Sequence, residues 1–204
     1  GVGFKLIQAY LSNQKLPKEI AYDYLDLVAT ATGADIVPMI GENRILTFYG
    51  MKLLNEQPRV GIRSLMLGHK HFGSMTITDV VFTIAPRINA AGRMKHAHFA
   101  VSLLIEENES QAQKFALEIE EFNSNRRSED QRITQEALIQ IKKLNQEDEP
   151  ATVVYNENWH KGVIGIVASR LIETYYRPTI VFTKSNGLLV ASVRSVKGFD
   201  VYAA

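Results

Sequence analysis

The sequence predicts an α/β protein of two lobes joined by a long helix, and three observations carry that expectation. Charge is distributed in blocks: residues 1–105 hold 11 basic and 7 acidic groups, residues 106–150 hold 6 and 12, and residues 151–204 hold 6 and 3. The acidic middle block contains no Pro or Gly from 106 to 145 and carries an apolar stripe at helical spacing. The last block reads as strand, helix, strand, strand, with Asn186-Gly187 placed as a hairpin turn.

The first block opens on Phe4, Ile7, Tyr10 and Leu11, spaced near 3.6 residues, so a helix is expected there. Leu16-Pro17 starts a second helix, or a strand-helix unit, reaching Thr32, with Glu19 suited to a first turn. Gly41-Glu42-Asn43 reads as a turn. Ile45 to Leu54 reads as a helix with Leu46, Tyr49, Leu53 and Leu54 on one side, and Leu65 to His71 as a short helical piece before Gly73. Ile77 to Ile84 mixes β-branched and aromatic residues with Thr and Asp, so helix and strand both remain open.

In the middle block, Ala112, Phe115, Ala116, Ile119 and Phe122 form one stripe, and Ile133, Ala137, Ile141 and Leu144 form another. Residues 123–132 between them are almost wholly polar. One helix over this stretch would be about 60 Å long, with apolar faces to bury at its two ends and a solvated middle. The alternative is two helices with a loop near Asn123-Ser124-Asn125. In the last block, Ala151–Tyr155, Pro178–Thr183 and Leu188–Val193 are the expected strands and Gly162–Tyr176 the helix.

Composition narrows the function. The chain has 204 residues, 46% hydrophobic and 22% charged, a globular balance. Net charge is only +1, so whole-chain basicity gives no argument for nucleic acid. Cysteine is absent, which excludes disulfides, Cys-ligated zinc and thiol catalysis within these residues. No apolar run approaches membrane-span length and no leader pattern is visible, so a soluble cytoplasmic protein with no membrane partner is the expectation. The chain starts at Gly1 and stops just after a strand-like segment, which suggests a piece of a longer protein.

Four stretches carry chemistry. In Asp26-Leu27-Val28-Ala29-Thr30-Ala31-Thr32-Gly33-Ala34-Asp35 two carboxylates bracket a run expected to be buried. One of them serves as a metal ligand, or Asp26 caps a helix and Asp35 a turn. In Pro86-Arg87-Ile88-Asn89-Ala90-Ala91-Gly92-Arg93 two guanidinium groups flank an Asn and a small-residue core. That is either a cradle for backbone phosphates or a surface loop with solvated arginines. In Trp159-His160-Lys161-Gly162-Val163-Ile164-Gly165 a helix starts beside His160 and Lys161, giving either an anion site or a tight strand-helix turn. In Ala191-Ser192-Val193-Arg194-Ser195 the alternation puts Ser192 and Arg194 on one strand face, suited to phosphate or simply exposed. The pairs His69/His71 and His96/His98 lack a nearby completing ligand, and 147–149 reads as a solvated acidic loop.

Taken together, the strings GVGFKLIQA, DLVATATGADIVPMIGENR, APRINAAGRM, WHKGVIGIVASRL and ASVRS resemble, in order and over nearly the whole chain, the RecJ-type single-stranded-DNA exonucleases of the DHH phosphoesterase superfamily. The resemblance implies that 1–105 is the C-terminal part of a DHH lobe, 106–145 the connecting helix, and 146–204 a partial DHH-associated domain. It implies hydrolysis of single-stranded DNA from the 5′ end with Mn²⁺ or Mg²⁺, in DNA repair and recombination. Asp35 would be the metal ligand and catalytic carboxylate. Arg87, Asn89, Arg93, His160, Ser192, Arg194 and Ser195 would contact the strand.

No Asp-His-His or Asp-x-Asp occurs in the chain, so the family's other metal motifs would lie before Gly1 and these residues alone are expected to be inactive. Where the family often has Gly, this chain has Ala191 and Val193, and the bulk of Val193 is expected to crowd the strand contact. Two other readings remain at this point: a DHH phosphodiesterase of short oligonucleotides or cyclic dinucleotides, and a non-catalytic single-strand-binding module.

Overall fold

The computed structural model describes residues 1–67 and 74–204. It divides into two compact units, Gly1–Asn123 and Ser124–Ala204. Among the described residues, no helix is long and apolar enough to cross a membrane.

The first unit is helical. In α1 (Val2–Asn13) the apolar spacing buries Phe4 and Leu11, while Tyr10 is exposed. Pro17 opens a 3₁₀ turn, Lys18–Tyr24, and α2 (Leu25–Ala34) follows it directly, so the stretch is neither one helix nor a strand-helix unit. The triplet expected as a turn instead begins α3 (Gly41–Glu56): Gly41 has φ +52°, open to glycine, and the chain enters the helix within one residue. Helices α2 and α3 pack backbone to backbone. A Cβ at Gly50 would sit 2.1 Å from the Leu25 carbonyl oxygen, so only glycine permits this approach.

Helix α4 spans Val60–Met66. The rest of the piece expected up to His71, and the His69/His71 pair, lie outside the described residues. The ambiguous stretch resolves as helix: α5 (Ile77–Asp79), a π turn (Val80–Ile84) and α6 (Ala85–Met94) run on without a break. A reciprocal Thr76–Asp79 capping box starts it. Pro86 accounts for the π turn, because it has no N–H for the Phe82 carbonyl and its ring needs room there; the Ala85 N–H bonds Val80 instead. Helix α7 is His98–Ile105.

Helix α8 is continuous over Glu109–Lys143, with no loop at 123–125. Its first stripe, Ala112, Ala116, Ile119 and Phe122, completes the first unit's core with Leu54, Ile62, Val80, Ile84 and Leu103. Its second stripe, Ile133, Ala137 and Ile141, is buried, whereas Leu144 is exposed. The helix is therefore shared between the two units rather than standing as a third piece. Its polar middle is not fully solvated either: Asn123 and Asp130 are buried. Asp130 accepts two bonds from the Arg170 guanidinium at 2.8 and 2.7 Å, which holds that guanidinium in its charged form.

In the second unit, β1 (Thr152–Tyr155) pairs in parallel with β2 (Thr179–Ser185), which pairs antiparallel with β3 (Leu188–Arg194). The crossover between β1 and β2 is α9 (Ile164–Thr174), packed on β2 and β3. Asn186 and Gly187, at φ +51° and +79°, make the expected two-residue hairpin turn. The acidic residues 147–149 are exposed, but their backbone is tied down by Arg177, which donates to the carbonyls of Gln146, Glu147 and Glu149 and to the Thr152 hydroxyl.

Two local features of α2 bear on the site. At its start Asp26 is buried, accepts from its neighbour's N–H at 2.7 Å, and meets the Arg59 guanidinium at 2.6 Å. At its end the Val37 N–H bonds Thr32 and the Ile36 N–H bonds Gly33, a paired C-terminal closure that forces Ile36 to φ +51°. A β-branched residue is strained there. Replacing Asp26 by Ala is expected to destabilise the protein by about 3 kcal/mol, because the buried Nε of Arg59 loses its carboxylate partner. Replacing Ile36 by Gly is expected to stabilise it by about 1 kcal/mol. Urea unfolding followed by circular dichroism measures both.

Candidate nucleic-acid interface

The second unit gathers its candidate residues around the first turn of α9. Strand β3 lies against this turn so closely that a Cβ on Gly165 would be 3.1 Å from the Ser192 hydroxyl and 3.3 Å from Arg194 Nη2. The Arg194 Nε donates to the Ser169 hydroxyl at 3.0 Å, and that hydroxyl donates to the Gly165 carbonyl at 3.2 Å. The guanidinium is thus laid along the helix start with its edge exposed. Backbone N–H groups of a first helical turn and a guanidinium both favour an anion, so the pair reinforce each other.

His160 stands at the other side of the same turn. Its carbonyl accepts the Val163 and Ile164 N–H groups at 2.9 and 3.3 Å, which starts the helix. Its ring Nδ1 accepts the Gly162 N–H at 3.1 Å. The segment is a tight strand-helix turn that carries a half-buried imidazole beside a helix N-terminus.

Ser195 is different. It lies past the end of β3, and its hydroxyl donates to the Phe199 carbonyl across a local turn, so the strand contact expected of it gives way to a turn-making role. The crowding expected from Val193 does not occur. Val193 is opposite Ile180 and Ala191 opposite Phe182, on the sheet face away from Ser192 and Arg194. Ser169 is a contributor that the sequence reading misses. Its signal is its position four residues after Gly165, on the same helical face.

In the first unit, the Arg87–Arg93 segment is the helix α6 rather than a loop. Arg87 is buried, bonding the Thr83 carbonyl at 2.6 Å and the Glu120 carboxylate at 2.5 Å. The strand contact expected of Arg87 is corrected accordingly: its guanidinium ties α6 and the π turn to α8. Asn89, Gly92 and Arg93 fall on the exposed side of α6. Gly92 needs no special backbone angle, and a Cβ there would meet only Ala97 at 3.8 Å. Nothing in the fold requires glycine at this position, which leaves a flat patch beside Asn89 and Arg93. His96 and His98 are also exposed, with His98 Nε2 3.3 Å from the Ser102 hydroxyl.

Of the two carboxylates in the first stretch, Asp26 is used by Arg59, and Asp35 is exposed at the C-terminal end of α2. A carboxylate there opposes the helix dipole. Among the described residues, no hydrogen bond from its side chain explains its place. Among the described residues, no group of three His, Cys, Asp or Glu side chains is arranged to hold a metal ion.

An ion ladder on α8 supports the His160 turn. Arg132 bonds Glu129 through Nε and Nη2, at 3.1 and 2.7 Å, and Glu136 through Nη1 at 2.6 Å. The Arg132 hydrogen bonds hold the Glu129 carboxyl below its usual range against the opposing effect of burial, with further help from the charges of Arg132 and His160.

Comparison with known proteins places these features in a family context. Residues 148–204 match the DHHA1 domain model. The chain is 38% identical over 205 residues to the single-stranded-DNA-specific exonuclease RecJ of Bacillus subtilis, covering 99% of this chain and 25% of that protein. It superposes with TM-score 0.85 and 32% identity on the crystal structure of RecJ in complex with Mg²⁺ from Thermus thermophilus, covering 100% of this chain and 31% of that one. A crystal structure of exonuclease RecJ bound to manganese matches with the same TM-score of 0.85 and 32% identity, over 50% of that chain. The chain thus spans between about a quarter and a half of the proteins it matches.

Two outcomes follow. Asp35→Asn is expected to leave stability unchanged or raise it by about 0.5 kcal/mol, since it removes an anion from the negative end of a helix dipole; a loss of stability would assign Asp35 a structural role. Because the folded Glu129 carboxyl titrates below its unfolded value, its contribution is complete above the ordinary carboxylate range and is lost as pH falls through the lowered value. An acid titration of the folded chain from about pH 5 downward is expected to lose less stability in Glu129→Gln than in the parent.

Proposed function

From the premise that this chain is a RecJ-type segment of the DHH phosphoesterase superfamily, we propose that it supplies the strand-holding part of a metal-dependent exonuclease that degrades single-stranded DNA from the 5′ end. The observation that carries this reading is that Arg194 and Ser192 meet the α9 start at Gly165 while His160 lies in the turn that begins the same helix, all donors of the kind a phosphodiester accepts. The exposed α6 face with Asn89, Gly92 and Arg93 is a second strand-contact surface on the first unit. A flat helix face with a guanidinium at its edge suits a sugar-phosphate backbone better than a base edge, which accords with sequence-independent degradation.

Divalent metal, Mn²⁺ or Mg²⁺, would activate the attacking water and stabilise charge on the phosphate. One carboxylate is too few donors for a catalytic metal pair, so the residues of this chain fit a metal only as a contributing wall. Asp35 is the group that would serve, and a cation beside it would relieve the dipole opposition at the end of α2. The work of these residues is therefore to bind and orient. The Arg194 guanidinium and the Gly165 N–H fix a phosphate, Ser192 and His160 add neutral donors, and Asn89 and Arg93 hold the backbone at the other surface.

Binding of a short oligothymidylate, measured by fluorescence anisotropy over a salt series, tests this reading. Arg194→Ala and Arg93→Ala are each expected to weaken binding severalfold and to lower the slope of log K against log salt by about 0.7, one single-strand phosphate contact each. Unchanged affinity and slope in both variants would refute the proposal. The chain alone is expected to release no nucleotides with Mn²⁺; measurable release would refute the assignment of a holding role.

A further inference from the structure

We propose that Glu136 is a positioning residue for the strand site: by holding the Trp159 indole, it fixes the turn in which His160 offers its Nε2–H to a phosphodiester. This rests on the strand-binding reading of His160 and adds to it the residue that sets the ring's orientation and tautomer.

Trp159 is buried and is held from three directions. Its indole Nε1–H donates to Glu136 Oε2 on α8 at 2.8 Å. Its carbonyl accepts the buried Thr183 hydroxyl of β2 at 2.6 Å. Its backbone N–H reaches the Asn156 carbonyl just after β1 at 3.3 Å. The backbone bonds locate the turn, and the indole bond sets how Trp159 lies in it. His160 is the next residue, so its φ starts from a peptide plane whose carbonyl Thr183 holds.

The consequence appears at the ring. With Nδ1 accepting from the Gly162 N–H, the neutral imidazole carries its proton on Nε2. A donor, not an acceptor, is then what His160 presents, and this is the form a phosphate oxygen can use. The other oxygen of Glu136 is occupied by Arg132 Nη1, and Arg132 is in turn shared with Glu129. The Glu136 carboxylate therefore cannot swing away from Trp159 without breaking an ion pair. A buried indole needs an acceptor, which a packing role alone would explain. What packing does not explain is an acceptor locked into a charged ladder, Glu136 to Arg132 to Glu129, along α8.

The chain contains one tryptophan, so Trp159 emission reports this contact without interference. In the 204-residue chain at mildly alkaline pH, long-range ¹H–¹⁵N spectra of the His160 ring are expected to show protonated Nε2 and bare Nδ1. Glu136→Gln keeps an acceptor oxygen and is expected to preserve that pattern, the emission maximum and oligothymidylate affinity within about twofold. Glu136→Ala is expected to mix the tautomers, shift the emission and weaken affinity about five- to tenfold, the loss of one hydrogen bond. Combined with His160→Ala it is expected to add nothing further. Protonated Nδ1 in the parent chain, or an unaltered ring pattern in folded Glu136→Ala, overturns the proposal. If the ring pattern changes as expected while neither Glu136→Ala nor His160→Ala alters oligonucleotide affinity, the tautomer assignment is supported and the strand-binding reading of His160 is overturned.

Discussion

Strand β3 lays the Ser192 hydroxyl and the Arg194 guanidinium on the first turn of α9, 3.1 and 3.3 Å from where a Cβ at position 165 would sit, and the candidate site in the second unit depends on that contact. The approach places Ser192 and Arg194 beside Gly165, in a helix start whose Val163 and Ile164 N–H groups bond the His160 carbonyl and whose Ile166 and Val167 N–H groups bond the Val163 carbonyl. It also lets Ser169, one helical turn on, receive Arg194 Nε and hold the guanidinium flat. A Cβ at 165 would press on the Ser192 and Arg194 side-chain ends and make them give by a few tenths of an ångström. The hairpin is tight because Asn186 and Gly187, both at positive φ, return the chain in two residues, so β3 runs in register along β2 with Ser192 opposite Val181 and Arg194 opposite Thr179.

The first unit solves a different problem, that of exposing one face of a helix while fixing the other. Pro86 breaks the regular bonding of the 77–94 run, and the π turn takes up the distortion. Arg87 then collects the Thr83 carbonyl and Glu120, which turns a local defect into an anchor on α8. With Arg87, Ala90 and Ala91 inside, Asn89, Gly92 and Arg93 are left outside by the helical period alone. Two arginines six residues apart thus have separate duties, one in the fold and one at the surface.

Much of this is legible in the sequence. The two apolar stripes of 106–145 mark a helix because their phase survives the polar interval, and Asn186-Gly187 marks the hairpin because both residues tolerate positive φ. Gly41 reads as a turn because a glycine beside Glu and Asn is usually one; the structure uses the same φ freedom to start a helix. The 77–84 stretch is ambiguous because Val, Phe, Thr and Ile suit either state, and the deciding element, the capping box at Thr76, lies just upstream. At the site, residue type points to the donors Arg194, Ser192 and His160, since strand alternation and a helix start are local patterns. It misleads for Arg87, because the partner, Glu120, is 33 positions away in sequence and long-range pairing leaves no local mark. It misleads for Ser195 for the opposite reason: a turn reaching only to Phe199 takes its hydroxyl.

The claim beneath all of this is that a phosphate of a single strand rests at the start of α9 against Arg194. Titrating ¹⁵N-labelled chain with a short oligothymidylate and following amide and arginine side-chain signals tests it most directly. The account predicts the largest saturating shifts at Gly165 N–H and Arg194 Nε–H, with Arg93 shifting at the first unit. Shifts confined to other surfaces, such as the sheet face of Tyr155 and Phe182, with Gly165 and Arg194 unmoved at saturation, would contradict it.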